Sequence, residues 1–240
     1  MPKARFRSLA ASVCAGLALM LSTPAAADET MTEAETEAIE RVVRGYLLEH
    51  PEIIIEALQV LETRNRQQAI DALLADKAAP VAGNPEGPLT VVEFFDYQCP
   101  YCKTIAADMI ETLEAEGDVR IVFKEFPILG QASEYAAKAA LAAHRQGKYL
   151  EFHQALMAAR GKLNERMVIE EARRVGLDVE RLQADMDSPE IAAALERNHE
   201  LATALQVNGT PAFVVGKTVV PGQANMINLI QQLLEAERSS

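Results

Sequence analysis

The sequence predicts an α/β fold: a mixed β-sheet with helices on its faces, interrupted by a helical insert and preceded by a separate pair of helices. Three observations carry this. A strand, a helix and a second strand open the main body, a block of helical periodicity follows, and two short strands with a terminal helix close it. The stretch Ala79 to Pro88, with three prolines and two glycines, reads as a linker that sets this body apart from the helices before it. With 240 residues the chain has room for one or two domains with a real core.

Taken in order, the first segment is not part of that fold. Lys3, Arg5 and Arg7 precede an uncharged apolar run from Leu9 to Leu21, and Ala25-Ala26-Ala27 supplies small residues ahead of Asp28. A basic start, an apolar centre and an A-x-A site make a secretory signal spanning 1–27, cleaved before Asp28. The run is shorter than the roughly 20 residues that cross a bilayer, and no later segment is long and apolar enough to do so. The product is expected in the periplasm, an oxidising compartment. Cys14 leaves with the signal, so the chain's three cysteines become two. Loss of the three basic residues takes the formal charge from −12 to −15. That acidic balance excludes nucleic acid as a partner, since binding a phosphate backbone requires a positive surface.

Residues 28–79 form the helical segment. Thr32 and Glu35 can make a capping box, and Ile39, Val42, Val43, Tyr46 and Leu47 recur at helical spacing. Pro51 stands at a tolerated first-turn position of a second helix that runs to about Lys77. Residues 80–240 form the main domain. Its strands are expected at Leu89 to Phe95, Val119 to Phe126, Ala212 to Val215 and Thr218 to Val220, the last two joined by the turn Gly216-Lys217. Its helices are expected at Tyr101 to Glu116, Ser133 to Gln146, Tyr149 to Ala159, Glu165 to Val175, Pro189 to Leu205 and Ala224 to Ala236.

Cys99-Pro100-Tyr101-Cys102 follows the first of these strands and opens the helix after it. Helix N-termini present unpaired N–H groups and the positive end of the dipole, which favour a thiolate. In such motifs the thiol pKa falls from about 8.5 to between about 3.5 and 7. Cys99 is therefore the candidate nucleophile, and Cys102, one turn in, the candidate resolving thiol. A structural disulfide is disfavoured, because closing so short a loop removes only about 2 kcal/mol of unfolded-state entropy. A zinc site is disfavoured because no second CxxC exists and His50, His144, His153 and His199 lack ligand spacing. Neither a metal nor a cofactor is expected.

The run Glu93-Phe94-Phe95-Asp96-Tyr97-Gln98-Cys99-Pro100-Tyr101-Cys102, together with Gly209-Thr210-Pro211-Ala212-Phe213, resembles the DsbA-like branch of the thioredoxin superfamily. Tyr46-Leu47-Leu48-Glu49-His50-Pro51-Glu52 resembles the N-terminal extension of its ScsC-type members. The resemblance implies a thioredoxin-like fold with a helical insertion, preceded by an α-helical extension, and thiol–disulfide exchange on client proteins. It makes Pro211 the cis-proline facing the cysteines and Thr210 the residue that offers backbone groups to an extended substrate, with Pro100 and Tyr101 at the substrate-binding surface. It makes Glu93 a buried carboxylate able to relay the proton of Cys102, and it matches Lys124 to a lysine near that glutamate. Asp96, Tyr97 and Tyr101 flank the site. Tyr101 between the cysteines, and Thr210 rather than an aliphatic residue before Pro211, resemble the isomerase-leaning relatives.

Partners follow from the same resemblance: exported client proteins with cysteines, and a membrane redox partner that resets the pair. The apolar stripe of Thr32 to Lys77 implies a homo-oligomer, a trimer by analogy with ScsC-type proteins, or else a fold-back onto the chain's own domain. Within the same family the alternative is a monomeric DsbA-like dithiol oxidase. Two functions of other classes also stay open on the residues alone. The two thiolates could hold soft Cu(I), or the helices could serve as a chaperone-like adaptor with incidental thiols.

Overall fold

The computed structural model describes residues 31–222 and 224–239; the segment 1–27 expected to be a signal, with Cys14, lies outside the described residues. The chain divides into two compact units, Met1–Ile53 and Ile54–Ser240.

The first unit carries α1 (Glu33–Glu49), and the predicted capping box is formed: the Thr32 side chain accepts from the Glu35 amide, and Glu35 accepts from the Thr32 amide at 2.9 Å. No residue of α1 is buried. Ile39, Val42, Val43, Tyr46 and Leu48 are all half exposed or more. Helix α2 (Glu52–Ala75) begins at the boundary between the units. Its first three turns leave Ile54, Ile55, Leu58 and Leu61 exposed, whereas Ala69, Ile70 and Leu73 near its end are buried in the second unit.

After α2 come β1 (Val81–Gly83), β2 (Leu89–Phe95), α3 (Pro100–Ala115) and β3 (Val119–Glu125). The insert follows as α4 (Gln131–Arg145), α5 (Tyr149–Ala158), α6 (Glu165–Arg174), α7 (Val179–Met186) and α8 (Pro189–Ala204). The chain closes with β4 (Ala212–Val215), β5 (Thr218–Pro221) and α9 (Met226–Arg238). The sheet order is β1-β3-β2-β4-β5, with β2 and β3 parallel and every other pairing antiparallel. This is the mixed, helix-covered sheet that the order of elements predicts.

Both sheet faces are buried, so the strands read as continuous apolar runs rather than as alternating ones. Val91, Phe95, Ile121, Phe123 and Phe213 face α3, α9 and the insert, where they meet Met109, Leu113, Phe152, Leu156 and Ile230. Val92, Phe94, Val122 and Val214 face the other way, onto Ile70 and Leu73 of α2 and Ala202 and Leu205 at the end of α8. At about 1.5–3 kcal/mol per fully buried aliphatic side chain, α2 contributes substantially to the second unit's core.

Two elements were not expected. The stretch read as a linker contains β1, whose pairing with β3 buries Ala82. Gly83 has φ +70°, and a Cβ there would lie 2.5 Å from the Val119 carbonyl oxygen, so only glycine permits this approach. Helix α7 is eight residues long and is capped by Asp178, which accepts from the Arg181 amide at 3.1 Å.

Candidate active site

Parity along β2 sets the site. Val91, Glu93 and Phe95 share the face covered by α3, and Glu93 pairs in register with Phe123. The strand ends at Phe95, and Asp96 turns the chain. Its carboxylate accepts from the Gln98 amide (2.7 Å), the Leu129 amide (2.9 Å) and the Ser133 hydroxyl (2.7 Å), while its carbonyl accepts from the Cys99 amide at 3.0 Å. This buried carboxylate, with every bond satisfied, delivers Cys99 to the N-cap of α3, with Pro100 at the first helical position.

The Cys99 sulfur accepts from the Cys102 amide at 3.4 Å, and in its thiol form donates to the Thr210 carbonyl at 3.2 Å. A hydrogen bond from the Cys102 thiol, the Thr210 side chain and the helix amides together bring its pKa down to about 5, against the opposing effect of burial. Cys102, fully buried, donates that bond and is pushed strongly upward, first by Cys99 and then by burial. The dithiol is thus polarised: one sulfur is a thiolate at neutral pH and the other holds its proton. Both cysteines are unbridged.

Glu93 lies 1 % exposed, and neither carboxylate oxygen has a hydrogen-bond partner. Burial, and secondarily the Cys99 charge, raise its pKa to about 8. The Thr210-Pro211 peptide is cis and stands against Cys99. Gly222 backs this loop, its amide donating to the Pro211 carbonyl at 2.8 Å. A Cβ on Gly222 would sit 2.6 Å from that oxygen. Pro100 is exposed, and the Tyr101 ring stands 68 % exposed beside the pair.

Cys99, Cys102, Glu93, Thr210 and Pro211 therefore come together around one sulfur pair. Lys124 does not. It pairs in register with Phe94 and so projects from the opposite face of the sheet, where it is buried in an ion pair with Asp76. The likeness that matched it to a lysine near Glu93 fails on this parity.

Sequence reading also missed a buried array on the α3 side. The Tyr97 and Tyr149 hydroxyls donate to Glu125 at 3.0 and 2.8 Å, and Tyr97 meets His153 at 3.1 Å. All four are buried. Burial lifts the Glu125 carboxyl well above the carboxylate range and lowers His153 to about 3, so it favours the uncharged form of both. Among the described residues no group of three or more metal-ligating side chains is gathered.

A polarised dithiol at a helix N-terminus, facing a cis Thr-Pro bond on a sheet interrupted by a helical insert, defines a DsbA-like thioredoxin domain. Residues 90–234 match the DSBA-like thioredoxin domain, and the chain belongs to that family of thiol–disulfide oxidoreductases. Residues 35–68 match the copper resistance protein ScsC N-terminal domain. Among solved structures, a thioredoxin-like oxidoreductase from Silicibacter pomeroyi DSS-3 is 50% identical with a TM-score of 0.68, covering 71% of this chain and 98% of that one. Disulfide bond formation protein D of Bacillus subtilis is 24% identical over 188 residues, 73% of this chain and 84% of that protein. The Na(+)/H(+) antiporter NhaA 3 of Salinispora tropica is 31% identical over 162 residues, 67% of this chain, and this chain spans only 25% of that protein's length.

Proposed function

We propose that this chain is an exported thiol–disulfide oxidoreductase that exchanges disulfides with cysteine-containing client proteins, leaning toward isomerisation. The observation that carries it is the polarised dithiol: Cys99 brought to about 5 and Cys102 held as a thiol, against the cis Thr210-Pro211 bond.

The Cys99 thiolate attacks one sulfur of a client disulfide, forming a mixed disulfide and releasing the client's other sulfur as a thiolate, which takes up a proton. The Thr210 and Pro211 backbone lies where an extended client strand could pair with it. Cys102 then loses its proton and attacks Cys99, which frees the client thiol and leaves the protein oxidised. Glu93, buried on the same face with both oxygens unpaired, is the base that takes that proton, and a pKa of about 8 suits it to do so near neutrality. For isomerisation, a client thiol resolves the mixed disulfide instead, and Cys102 acts only as an escape route. Tyr101 beside the pair and Thr210 before Pro211 support that leaning by their resemblance to isomerase-leaning relatives. A membrane redox partner resets the cysteines.

The exposed apolar residues of α1 and early α2, with the match of residues 35–68 to the ScsC N-terminal domain, support a homo-oligomer, a trimer by that analogy. Residues 1–27 serve as the signal that exports the chain to the periplasm. Among the described residues no helix is long and apolar enough to cross a membrane.

Refolding of a scrambled-disulfide substrate tests this reading. Cys99→Ala is expected to abolish it, while Cys102→Ala is expected to retain some isomerisation and accumulate mixed disulfide; full activity in Cys99→Ala would end the proposal. The name of the matched N-terminal domain favours one second reading, Cu(I) held between the two thiolates. Tight copper binding without disulfide exchange would select it.

A further inference from the structure

Beside Cys99 runs a cavity of about 520 Å³ lined by Gln98, Pro100, Lys103, Leu129, Gly161 and Lys162. Two of its walls are the residues that flank the nucleophile. The third is the connection between α5 and α6, and it is pinned to the active-site segment at both ends. At its start, the Lys103 ammonium, from the first turns of α3, donates to the Leu156 carbonyl at 2.9 Å and the Ala159 carbonyl at 2.8 Å. At its end, the Leu163 amide donates to the Gln98 side chain at 2.9 Å, and Gln98 donates back to the Leu163 carbonyl at 3.5 Å. Between these anchors stands a three-residue arch, Arg160-Gly161-Lys162, with Gly161 at φ +78°. Its two cationic side chains are exposed and make no ion pair among the described residues.

The contrast with the chain's overall charge gives this meaning. The chain carries a formal charge of −12, an acidic balance against which an exposed cationic pair stands out. Lys103 is spent on carbonyls, so the arch supplies the free charge at this rim. No carboxylate lines the cavity. A client whose cysteine sulfur reaches Cys99 brings its neighbouring residues toward Gln98 and Pro100, the residues on either side of Cys99 that line this cavity.

We propose that the Arg160-Gly161-Lys162 arch is a specificity element that selects disulfides with a carboxylate side chain next to the reacting cysteine. This rests on the exchange reaction proposed above. The occupant is an acidic client segment; glutathione, whose carboxylates share the chemistry, is the alternative source. In the selected step Cys99 takes one sulfur of the acidic disulfide, the other leaves as a thiol, and Cys102 closes the protein disulfide as the acidic thiol departs.

The test uses the full reduced protein and three peptides, identical except for Glu, Gln or Lys beside a cysteine held as a mixed disulfide with 2-mercaptoethanol. Neutral hydroxyethyl disulfide and glutathione disulfide complete the set. For exposed charge pairs of ordinary strength the Glu peptide is expected to react about two- to five-fold faster than the Gln peptide at low salt, with the Lys peptide slowest. At molar salt the three rates converge, since the screening length falls to about 3 Å. In the Arg160→Glu/Lys162→Glu variant the order inverts while the hydroxyethyl disulfide rate is unchanged. Equal rates for the three peptides, or a preference that survives the variant, overturn the proposal. A preference for glutathione disulfide without one for the Glu peptide overturns the client assignment. No reaction with hydroxyethyl disulfide would mark failure of the exchange reading itself, and the selectivity would fall with it.

Discussion

At the scale of single residues, one sulfur in this molecule is easy to ionise and its neighbour is hard. The thiolate absorbance of the reduced protein is expected to titrate with a midpoint near pH 5 for Cys99, and a midpoint near 8 would remove the basis for its role. The sign for stability follows. A group whose pKa falls on folding stabilises the folded state fully above its unfolded value, near 9, and loses that effect as pH drops through 5. Reduced protein therefore gains stability between pH 5 and 9, while oxidised protein, which lacks the thiol, does not. Glu93 acts in the opposite sense. Its raised pKa means the folded state resists an ionisation that the unfolded chain undergoes near 4.5, so its burial costs stability progressively from about pH 4.5 to 8. Glu93→Gln is expected to raise stability at pH 7 by about 1–3 kcal/mol, to leave it unchanged at pH 4, and to slow resolution of the mixed disulfide about ten-fold or more. Thermal melts at the two pH values and stopped-flow quenching would measure this. An Asp96→Ala change orphans the Leu129 and Gln98 amides and the Ser133 hydroxyl and is expected to cost about 1–3 kcal/mol for a buried group left unpaired.

Among the elements, the sequence announced most of what mattered locally and little that depended on register. The capping box of α1, the strand before Cys99 and the turn at Gly216-Lys217 are encoded in contiguous residues, and each appears where expected. Helix α7 is too short for periodicity to register; only its cap and the i, i+4 pair Leu182 and Met186, both buried, mark it. Strand β1 was hidden because proline and glycine signal a turn, whereas its existence is decided by a partner about forty residues on. Lys124 was misplaced for a related reason. Which face of β3 it takes depends on the pairing of Glu93 with Phe123, and no local pattern reveals that in strands buried on both sides. Gly222 was invisible for the same reason, since it is noticed only once Pro211 packs against it. Gly222→Ala is expected to disturb the cis-proline loop, slowing peptide exchange about ten-fold or more while hydroxyethyl disulfide, which needs no strand pairing, reacts nearly as before. Helix α2 supplies another check. Leu73 is 0 % exposed in the second unit's core, and Leu73→Ala is expected to destabilise that unit by about 2–5 kcal/mol in a denaturant titration.

For the whole molecule, two kinds of surface are at issue. One is the apolar series on α1, where Ile39, Val42, Val43, Tyr46 and Leu48 are about half exposed or more. Val42→Glu with Val43→Glu is expected to convert an oligomer of residues 28–240 into monomer by light scattering at tens of micromolar, without lowering thiol exchange on a small disulfide. If the unsubstituted protein is already monomeric there, the association proposed for this segment is wrong. The other surface is the rim of the sheet. Its outer strands are three and four residues long, β1 flanked by prolines and β5 ending on Pro221. With so little open backbone along either border, the sheet leaves a stray extended chain little edge to stack on, which opposes edge-to-edge aggregation of the molecule itself.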